Sequence, residues 1–468
     1  MRNLPKHKIM AMVLGPVLAF ILWKIPTPDG LTVQGQAALA TLFFCMVWWL
    51  FTPVALPVTS LVGLALLPTL GALPTDVAFS LFGNQAVFFV IGVFLIAAVT
   101  LQTGLSARIS LIALRRFART ERSLCNGVLV LSWGLCSVVV SHAVAALILP
   151  ILLGLLKEFG LSYRSPFARR LLLSMAWGTV AGSNLGLLSS ARASLALELF
   201  DSFRVSGAIE PIGFLEYTLA AAPISLSSLL LAAVILERFY PEEGVELGAA
   251  VERLDQQLRE KGPLSKHEQR TIFVIVVMIV TMIWVGPSWM GIVALLFCGV
   301  FFGLQLLRWE EAEKYVNWGV ALLYGGAIAV GAAVHQTGAA AWVIDQMLPS
   351  TGLSPFVLFL TVGAIAAFFT ELVSNSAVIA VLLPVLLALC EPTGLNPRAV
   401  TMLAPIAAGL AFVLPTSTPA MAMVFGVGYL RTRDTIPGIL ITIGTLFFLA
   451  LSAYFWWPLI GCGPLEVL

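Results

Sequence analysis

Apolar segments long enough to cross a lipid bilayer recur along almost the whole chain. Residues 271–285 and 287–307, for example, are apolar on every side, whereas strands of a membrane β-barrel alternate polar and apolar positions. A transmembrane helix needs about 20 predominantly apolar residues. Charged residues make up only 11% of the 468 residues, against about 25% in a soluble domain. The sequence therefore predicts an all-α polytopic membrane protein.

Two of the apolar segments, 124–156 and 354–390, are interrupted midway by polar residues. We interpret each as a re-entrant hairpin, which enters and leaves the membrane on the same side. The remaining apolar segments predict about eleven transmembrane helices, given the length that a helix needs to span the bilayer.

Basic residues collect in the loops that this scheme places in the cytoplasm, as the positive-inside rule requires. Of the 26 Lys and Arg residues, Lys24, Arg204 and Arg398 fall on the opposite face, and Arg192 falls within a membrane segment. The scheme predicts a multi-pass protein of the cell (inner) membrane, with a cytoplasmic N-terminus and an extracytoplasmic C-terminus.

A strongly polar stretch, 237–270, lies near the middle of the chain. Its charge density predicts a solvated cytoplasmic linker that contains a short surface helix. The linker would join an N-terminal half, 1–236, which contains the first hairpin, to a C-terminal half, 271–468, which contains the second.

Short sequences of the first half recur in the second at a constant spacing. Gln102-Thr103-Gly104 recurs 234 residues later as Gln336-Thr337-Gly338, and Leu149-Pro150 recurs as Leu383-Pro384 in the same register. Such a repeat suggests a duplicated unit. The predicted topology inverts one half relative to the other, and inverted repeats are typical of secondary transporters.

Polar residues interrupt each hairpin and also the apolar span that follows it. In inverted-repeat transporters, broken helices expose main-chain groups near the midplane, where the substrate and coupling ions bind. Hydroxyl and amide side chains suit sodium, and helix N-termini suit an anion. The candidate substrate-binding residues are Ser141, His142, Ser189, Ser190, Arg192, Ser374, Asn375, Ser376, Thr416, Ser417 and Thr418.

These motifs resemble the divalent anion:sodium symporter family, whose members carry Ser-Asn-Thr at each hairpin tip. Ser374-Asn375-Ser376 is similar to the second tip, and residues 412–426 resemble the second unwound loop. The resemblance implies a homodimer, an elevator motion and sodium-driven uptake of a dicarboxylate, tricarboxylate or sulfate. It also implies a second sodium site made by Thr370, Ser374, Asn375 and Ser376 with carbonyls of the 416–418 loop.

The first half departs from the family pattern. Val140, Ser141 and His142 stand where Ser-Asn-Thr is expected, and residues 189–192 read Ser-Ser-Ala-Arg in place of Thr-Pro-Pro-Asn. A first sodium site would use Ser141, Ser183 and Asn184. The departure leaves open whether this site survives, and it leaves the substrate's identity open.

Arg192 carries a charge into the membrane, which costs about 3 kcal/mol at a helix centre. It would pair with the anionic substrate, form a salt bridge with Glu198 or Glu371, or extend to the membrane surface. His142 would bind sodium, titrate as a proton-coupling group, donate to substrate, or cap a helix. For Glu371 we favour a structural role over one in which its carboxylate attracts a cation.

A sodium/proton antiporter or an oxyanion efflux permease would share the inverted hairpins. An enzyme is not expected, because Ser141 and His142 are adjacent and their side chains point about 100° apart on a helix, which disfavours a nucleophile-base pair. The net charge of +2 gives no reason to expect nucleic acid as a partner. We expect a small anion as substrate, no cofactor, and Na⁺ as the coupling ion with H⁺ possible.

Overall fold

A computed structural model describes residues 6–161, 163, 165–203, 209–286, 289–347, 354–415 and 417–465. Every regular element in these ranges is a helix, which confirms the predicted all-α class. The α-helices are α1 (Lys6–Lys24), α2 (Val33–Phe51), α3 (Leu56–Thr69), α4 (Thr75–Phe82), α5 (Gln85–Gln102), α6 (Leu105–Phe117), α7 (Glu121–Cys136), α8 (Ser141–Glu158), α9 (Pro166–Gly182), α10 (Ala191–Phe203), α11 (Phe214–Phe239), α12 (Gly248–Lys261), α13 (Lys266–Val285), α14 (Met290–Gly303), α15 (Trp309–Tyr315), α16 (Trp318–Gln336), α17 (Ala339–Met347), α18 (Pro355–Leu372), α19 (Asn375–Thr393), α20 (Pro397–Ala407), α21 (Pro419–Gly426), α22 (Thr432–Thr435) and α23 (Gly438–Leu451). A π-helical turn, Ser452–Trp456, and a 3₁₀ turn, Trp457–Ile460, extend α23.

Many of these helices are long and apolar enough to cross a membrane. Within the described residues, eight helical stretches meet both criteria: Val33–Phe51, Thr75–Gln102, Ser141–Glu158, Phe214–Phe239, Lys266–Val285, Trp318–Gln336, Pro355–Leu372 and Thr432–Ile460. Shorter apolar helices include α3 and α14. The multi-pass architecture is therefore confirmed, whereas the count of eleven crossings stays a prediction.

Each of the two interrupted apolar segments forms a pair of helices joined by a short turn. Residues 137–140 join α7 to α8, and residues 373–374 join α18 to α19. Thr120 and Ser354 cap the first helix of each pair, by accepting from the main-chain N–H groups of Ser123 and Val357. The polar interruptions of the two apolar segments thus lie at the hairpin tips. Their re-entrant path through the bilayer stays a prediction.

The spans that follow the hairpins are broken helices. In the first half, residues 183–190 separate α9 from α10; in the second, α20 ends at Ala407 and α21 begins at Pro419. Glycine allows α9 to pack directly on the backbone of α7. A Cβ atom at Gly182 would lie 2.3 Å from the main-chain oxygen of Trp133. This contact holds the first break beside the first hairpin.

The centre of the molecule is organised around α16. Most of its residues are buried, from Ala321 to Val334, and it packs against α3, α5, α10 and α19. Because α10 follows the first break and α19 follows the second hairpin tip, α16 brings elements of both halves together.

The predicted linker contains the expected short helix, α12, but it is not simply a solvated connector. Its end is anchored by Arg108 of α6, which is 8% exposed. Arg108 Nε lies 2.7 Å from Glu268 Oε1, and Nη1 donates to the Gly262 carbonyl at 2.7 Å. The linker is therefore docked on the first half, because a buried arginine needs these acceptors.

Candidate functional site

The two hairpin tips and the two helix breaks enclose one cavity of about 230 Å³. They contribute polar side chains from four separate parts of the sequence. The cavity residues that the sequence had singled out are Ser141, His142, Ser183, Ser189, Arg192, Ser374, Asn375, Ser376, Ser417 and Thr418. Ser190, Asn184 and Thr370 are buried and are not part of this lining, and Thr416 lies outside the described residues.

Six helices begin at the cavity wall: α3, α8, α10, α16, α19 and α21. The first turn of α8 has no side-chain cap, and its Ala143 N–H donates to the Val140 carbonyl at 3.0 Å. The N–H groups of Ser141 and His142 are those that a helix start leaves without an internal partner. Each helix N-terminus carries the equivalent of about half a positive charge. The described lining contains no Asp or Glu side chain. The cavity therefore has a positive electrostatic character and suits an anion.

Side-chain oxygens cap several of these N-termini. Ser374 Oγ accepts from the Ala377 N–H at 3.3 Å, and Thr418 Oγ1 accepts from the Met421 N–H at 3.2 Å. Asn317 does the same for α16 through Val320. These contacts fix the first turns of the helices that face the cavity, so their remaining N–H groups hold a defined direction.

Arg192, in the first turn of α10, is 6% exposed and reaches across both halves. Its Nε donates to the Pro405 carbonyl at 2.8 Å. Nη2 donates to Asn184 Oδ1 at 2.5 Å, and it also lies 3.2 Å from Ser183 O and 3.3 Å from Ser183 Oγ. Nη1 makes no hydrogen bond to any other described residue. The salt bridge to Glu198 or Glu371 that the sequence left open is not formed.

Gly409 makes this arrangement possible. A Cβ atom at that position would lie 1.9 Å from Asn184 Oδ1 and 2.2 Å from Arg192 Nη2. Any larger residue would therefore displace the guanidinium. Gly409 and the Pro405 carbonyl were not predicted from the sequence, since neither residue carries a polar side chain. The only local feature that points to Gly409 is the end of α20 at Ala407, two residues before it.

Three oxygens meet at the end of the second hairpin. Thr370 Oγ1 lies 2.6 Å from Ala408 O and 2.8 Å from Asn375 Oδ1. A hydroxyl carries one proton, so it can donate to only one of these acceptors. The main-chain oxygen here belongs to Ala408, upstream of the 416–418 loop that supplied the carbonyls in the sequence prediction. The cluster offers an oxygen-lined position that suits a small cation.

Glu371, the next residue, faces the second break. Its two carboxylate oxygens accept from the main-chain N–H groups of Val413 at 2.9 Å and Leu414 at 2.8 Å. It therefore holds the unwound chain in place, as the structural alternative in the sequence analysis proposed. Ser417 Oγ donates to the Leu414 carbonyl at 2.6 Å, which tightens the same turn.

The remaining polar residues of the cavity, at the first hairpin tip, the first break and the second tip, make fewer contacts than Arg192. The His142 ring lies beside Phe94, with ring centroids 6.2 Å apart. Ser189 Oγ donates to the Gly186 carbonyl at 3.0 Å, within the first break. Ser376 Oγ, from the opposite tip, lies 3.4 Å from the Tyr324 hydroxyl of α16. Residues from both halves thus line a single cavity, which the inverted repeat had suggested.

Comparisons with known proteins place this architecture in a family. A family model described as "Sodium:sulfate symporter transmembrane region" matches residues 6–462. The chain belongs to this family of transporters, which confirms the predicted resemblance to divalent anion:sodium symporters and the prediction that the protein is not an enzyme.

Curated relatives match over nearly their whole length. The sodium-dependent dicarboxylate transporter SdcS of Staphylococcus saprophyticus is 25% identical over 484 residues, with 96% of this chain and 92% of the relative covered. SdcS of Staphylococcus aureus is 24% identical over 490 residues, with 97% and 92% covered.

Two solved structures share the fold. The YdaH transporter of Alcanivorax borkumensis has a TM-score of 0.57 at 13% identity, with 98% of this chain and 100% of that chain covered. MtrF of Neisseria gonorrhoeae has a TM-score of 0.57 at 16% identity, with 96% and 95% covered. At these identities the likeness shows the fold alone.

Proposed function

We propose that the protein is a sodium-coupled symporter of a small divalent anion, such as a dicarboxylate or sulfate. One observation carries the proposal: six helix N-termini and the Arg192 guanidinium face a cavity whose described lining has no carboxylate. Positive potential without a compensating acid favours an anion over a cation or a neutral solute.

The size of the cavity supports a small substrate. Its volume of about 230 Å³ lies below the range of roughly 300–1,000 Å³ that holds drug-sized ligands. In this proposal the anion accepts hydrogen bonds from Arg192 Nη1, from the main-chain N–H groups of Ser141 and His142 at the start of α8, and from the hydroxyls of Ser141 and Ser376. His142 donates from the first tip.

Sodium would bind at the second hairpin. The cluster of Thr370 Oγ1, Asn375 Oδ1 and Ala408 O supplies neutral oxygens, as coupling-ion sites on unwound helices do. The SdcS relatives are sodium-dependent dicarboxylate transporters. Because Asn375 lies both in this cluster and at the cavity wall, sodium bound there would order the tip that contacts the anion.

The inverted repeat of the two halves suggests how the cavity is exposed first to one side of the membrane and then to the other. We propose an elevator motion in a homodimer, in which the hairpins and broken helices carry the cavity across the bilayer against a fixed scaffold. The positive-inside pattern of the loops supports a cytoplasmic N-terminus in the cell membrane. A proton antiporter fits less well, since such exchange needs a carboxylate at the site.

Uptake of radiolabelled succinate and of sulfate into proteoliposomes tests this function. Each anion is offered with an inward sodium gradient, an inward proton gradient or neither, to the wild type, Asn375→Ala and Thr361→Val. Thr361 is a control because its hydroxyl donates to the Val357 carbonyl of its own helix. We expect sodium-driven uptake that is lost only in Asn375→Ala. Proton-driven uptake without sodium, or no uptake of either anion, would overturn the proposal.

A further inference from the structure

We propose that the Arg192 guanidinium is a built-in cation that replaces the first coupling sodium ion. This inference rests on the proposed function, because it concerns how many sodium ions accompany the anion. The sequence assigned Ser141, Ser183 and Asn184 to a first sodium site. Two of those three residues instead coordinate Arg192.

The oxygens that a sodium ion would need are already occupied. Nη2 of Arg192 lies 2.5 Å from Asn184 Oδ1, 3.2 Å from Ser183 O and 3.3 Å from Ser183 Oγ. All three are neutral oxygens, the type of ligand that an unwound helix offers to sodium. A guanidinium N–H group uses the same lone pairs as a bound cation. A sodium ion could therefore bind there only by displacing the arginine.

Displacement is opposed by the contacts of the rest of the side chain. Nε is held by the Pro405 carbonyl at 2.8 Å, and Gly409 packs so closely that an added Cβ would lie 2.2 Å from Nη2. An arginine stays protonated in proteins. The pocket thus keeps one positive charge through the whole transport cycle.

Charge also disfavours a second cation beside it. Two like charges a few ångströms apart repel strongly in a buried site, and the described lining contains no acid to offset them. The first hairpin tip presents Val140 and His142, and the Val140 side chain has no ligand to offer. The oxygens of Thr370, Asn375 and Ala408 remain as the place for a mobile sodium ion.

The fixed cation changes the charge that each cycle moves. A divalent anion carried with one sodium ion transfers one net negative charge, because Arg192 returns with the protein. With two sodium ions the same cycle is electroneutral. We therefore expect one sodium ion per chain, and uptake of the dianion that accelerates when the vesicle interior is made positive.

Direct binding of ²²Na⁺ to the purified, full-length protein in detergent tests the inference without any transport step. We expect one sodium ion per chain in the wild type, one in Arg192→Lys, and two in Arg192→Asn, which vacates the oxygens of Ser183 and Asn184. Arg119→Gln, at an exposed position, is the matched control and should bind one. Two ions per wild-type chain, or one in Arg192→Asn, would overturn the proposal.

The outcomes separate this inference from the proposed function. If the wild type binds no sodium, the sodium coupling proposed above fails, and the inference is then decided by whether Arg192→Asn gains a site. If Arg192→Asn does not fold, the wild-type count decides: one ion supports the fixed cation and two overturn it.

Discussion

The carboxylate of Glu371 accepts a hydrogen bond from the main-chain N–H of Leu414 at 2.8 Å. The first residue lies at the end of α18, in the second hairpin, and the other lies in the break between α20 and α21. Val413 donates to the same carboxylate at 2.9 Å. The hairpin and the break are therefore joined directly behind the cavity, so the side chains that they place on its wall hold a fixed relative position.

Replacing Glu371 should loosen this connection. Hydrogen bonds to a charged group contribute about 1.5–3 kcal/mol each, and Glu371→Gln keeps only one acceptor oxygen for two donors. We expect faster amide hydrogen exchange at residues 412–415 and a lower rate of uptake. Glu313→Gln, at an exposed position of α15, should leave both quantities unchanged. Unchanged exchange in Glu371→Gln would contradict the structural role of this carboxylate.

Thr370 should control the affinity for sodium. Thr370→Val keeps the shape of the side chain but removes the oxygen that lies between Ala408 O and Asn375 Oδ1. Loss of one ligand should raise the half-saturating sodium concentration roughly tenfold, which corresponds to about 1.4 kcal/mol. Sodium titration of anion uptake measures the effect, with Thr361→Val on the same helix as the control. Equal sodium dependence in the two variants would remove Thr370 from the site.

Much of this site could be predicted because polar residues are conspicuous in apolar segments. Ser141, His142, Ser374 and Asn375 interrupt two runs that otherwise read as membrane spans, and the structure places them at hairpin tips on one cavity. Satisfied main-chain groups are obligatory in a membrane, so a polar interruption marks a place where the helix ends. The two broken spans follow from the same reasoning.

The partners of Arg192 could not be predicted in this way. Pro405 contributes a main-chain oxygen and Gly409 contributes only the absence of a side chain, so neither leaves a polar signal in the sequence. Both lie more than 200 positions from Arg192 along the chain. The docking of the linker by Arg108 could not be predicted for a related reason, since its acceptors at residues 262 and 263 are main-chain carbonyl groups.

Gly409 should tolerate no side chain. An alanine Cβ would lie 1.9 Å from Asn184 Oδ1, and overpacking of a rigid site costs about 1–3 kcal/mol. We expect Gly409→Ala to lose most anion uptake, with a reduced melting temperature of the purified protein. Gly299→Ala, at a helical position with no atom within 4 Å of the added Cβ, should behave as the wild type. Normal uptake by Gly409→Ala would show that the guanidinium can move.

The anchoring of the linker can be tested by its own pair of variants. Arg108 and Glu268 have side chains that are 10% and 2% exposed, and their Nε and Oε1 atoms lie 2.7 Å apart. Removing one partner of a buried ion pair leaves the other charge without compensation, at a cost of about 3–5 kcal/mol. Lys314 and Glu311 form an exposed pair at 3.0 Å, with 66% and 36% exposure, and such a pair contributes about 0–1 kcal/mol. We therefore expect Arg108→Ala to lower the melting temperature of the purified protein clearly and Lys314→Ala to leave it nearly unchanged.

Limited proteolysis should also cut the 237–270 linker faster in Arg108→Ala alone, because the carbonyls of Gly262 and Pro263 lose their donor. Equal melting temperatures and equal cleavage rates in the two variants would mean that the linker is held by its other contacts, such as Arg115 with Asp255.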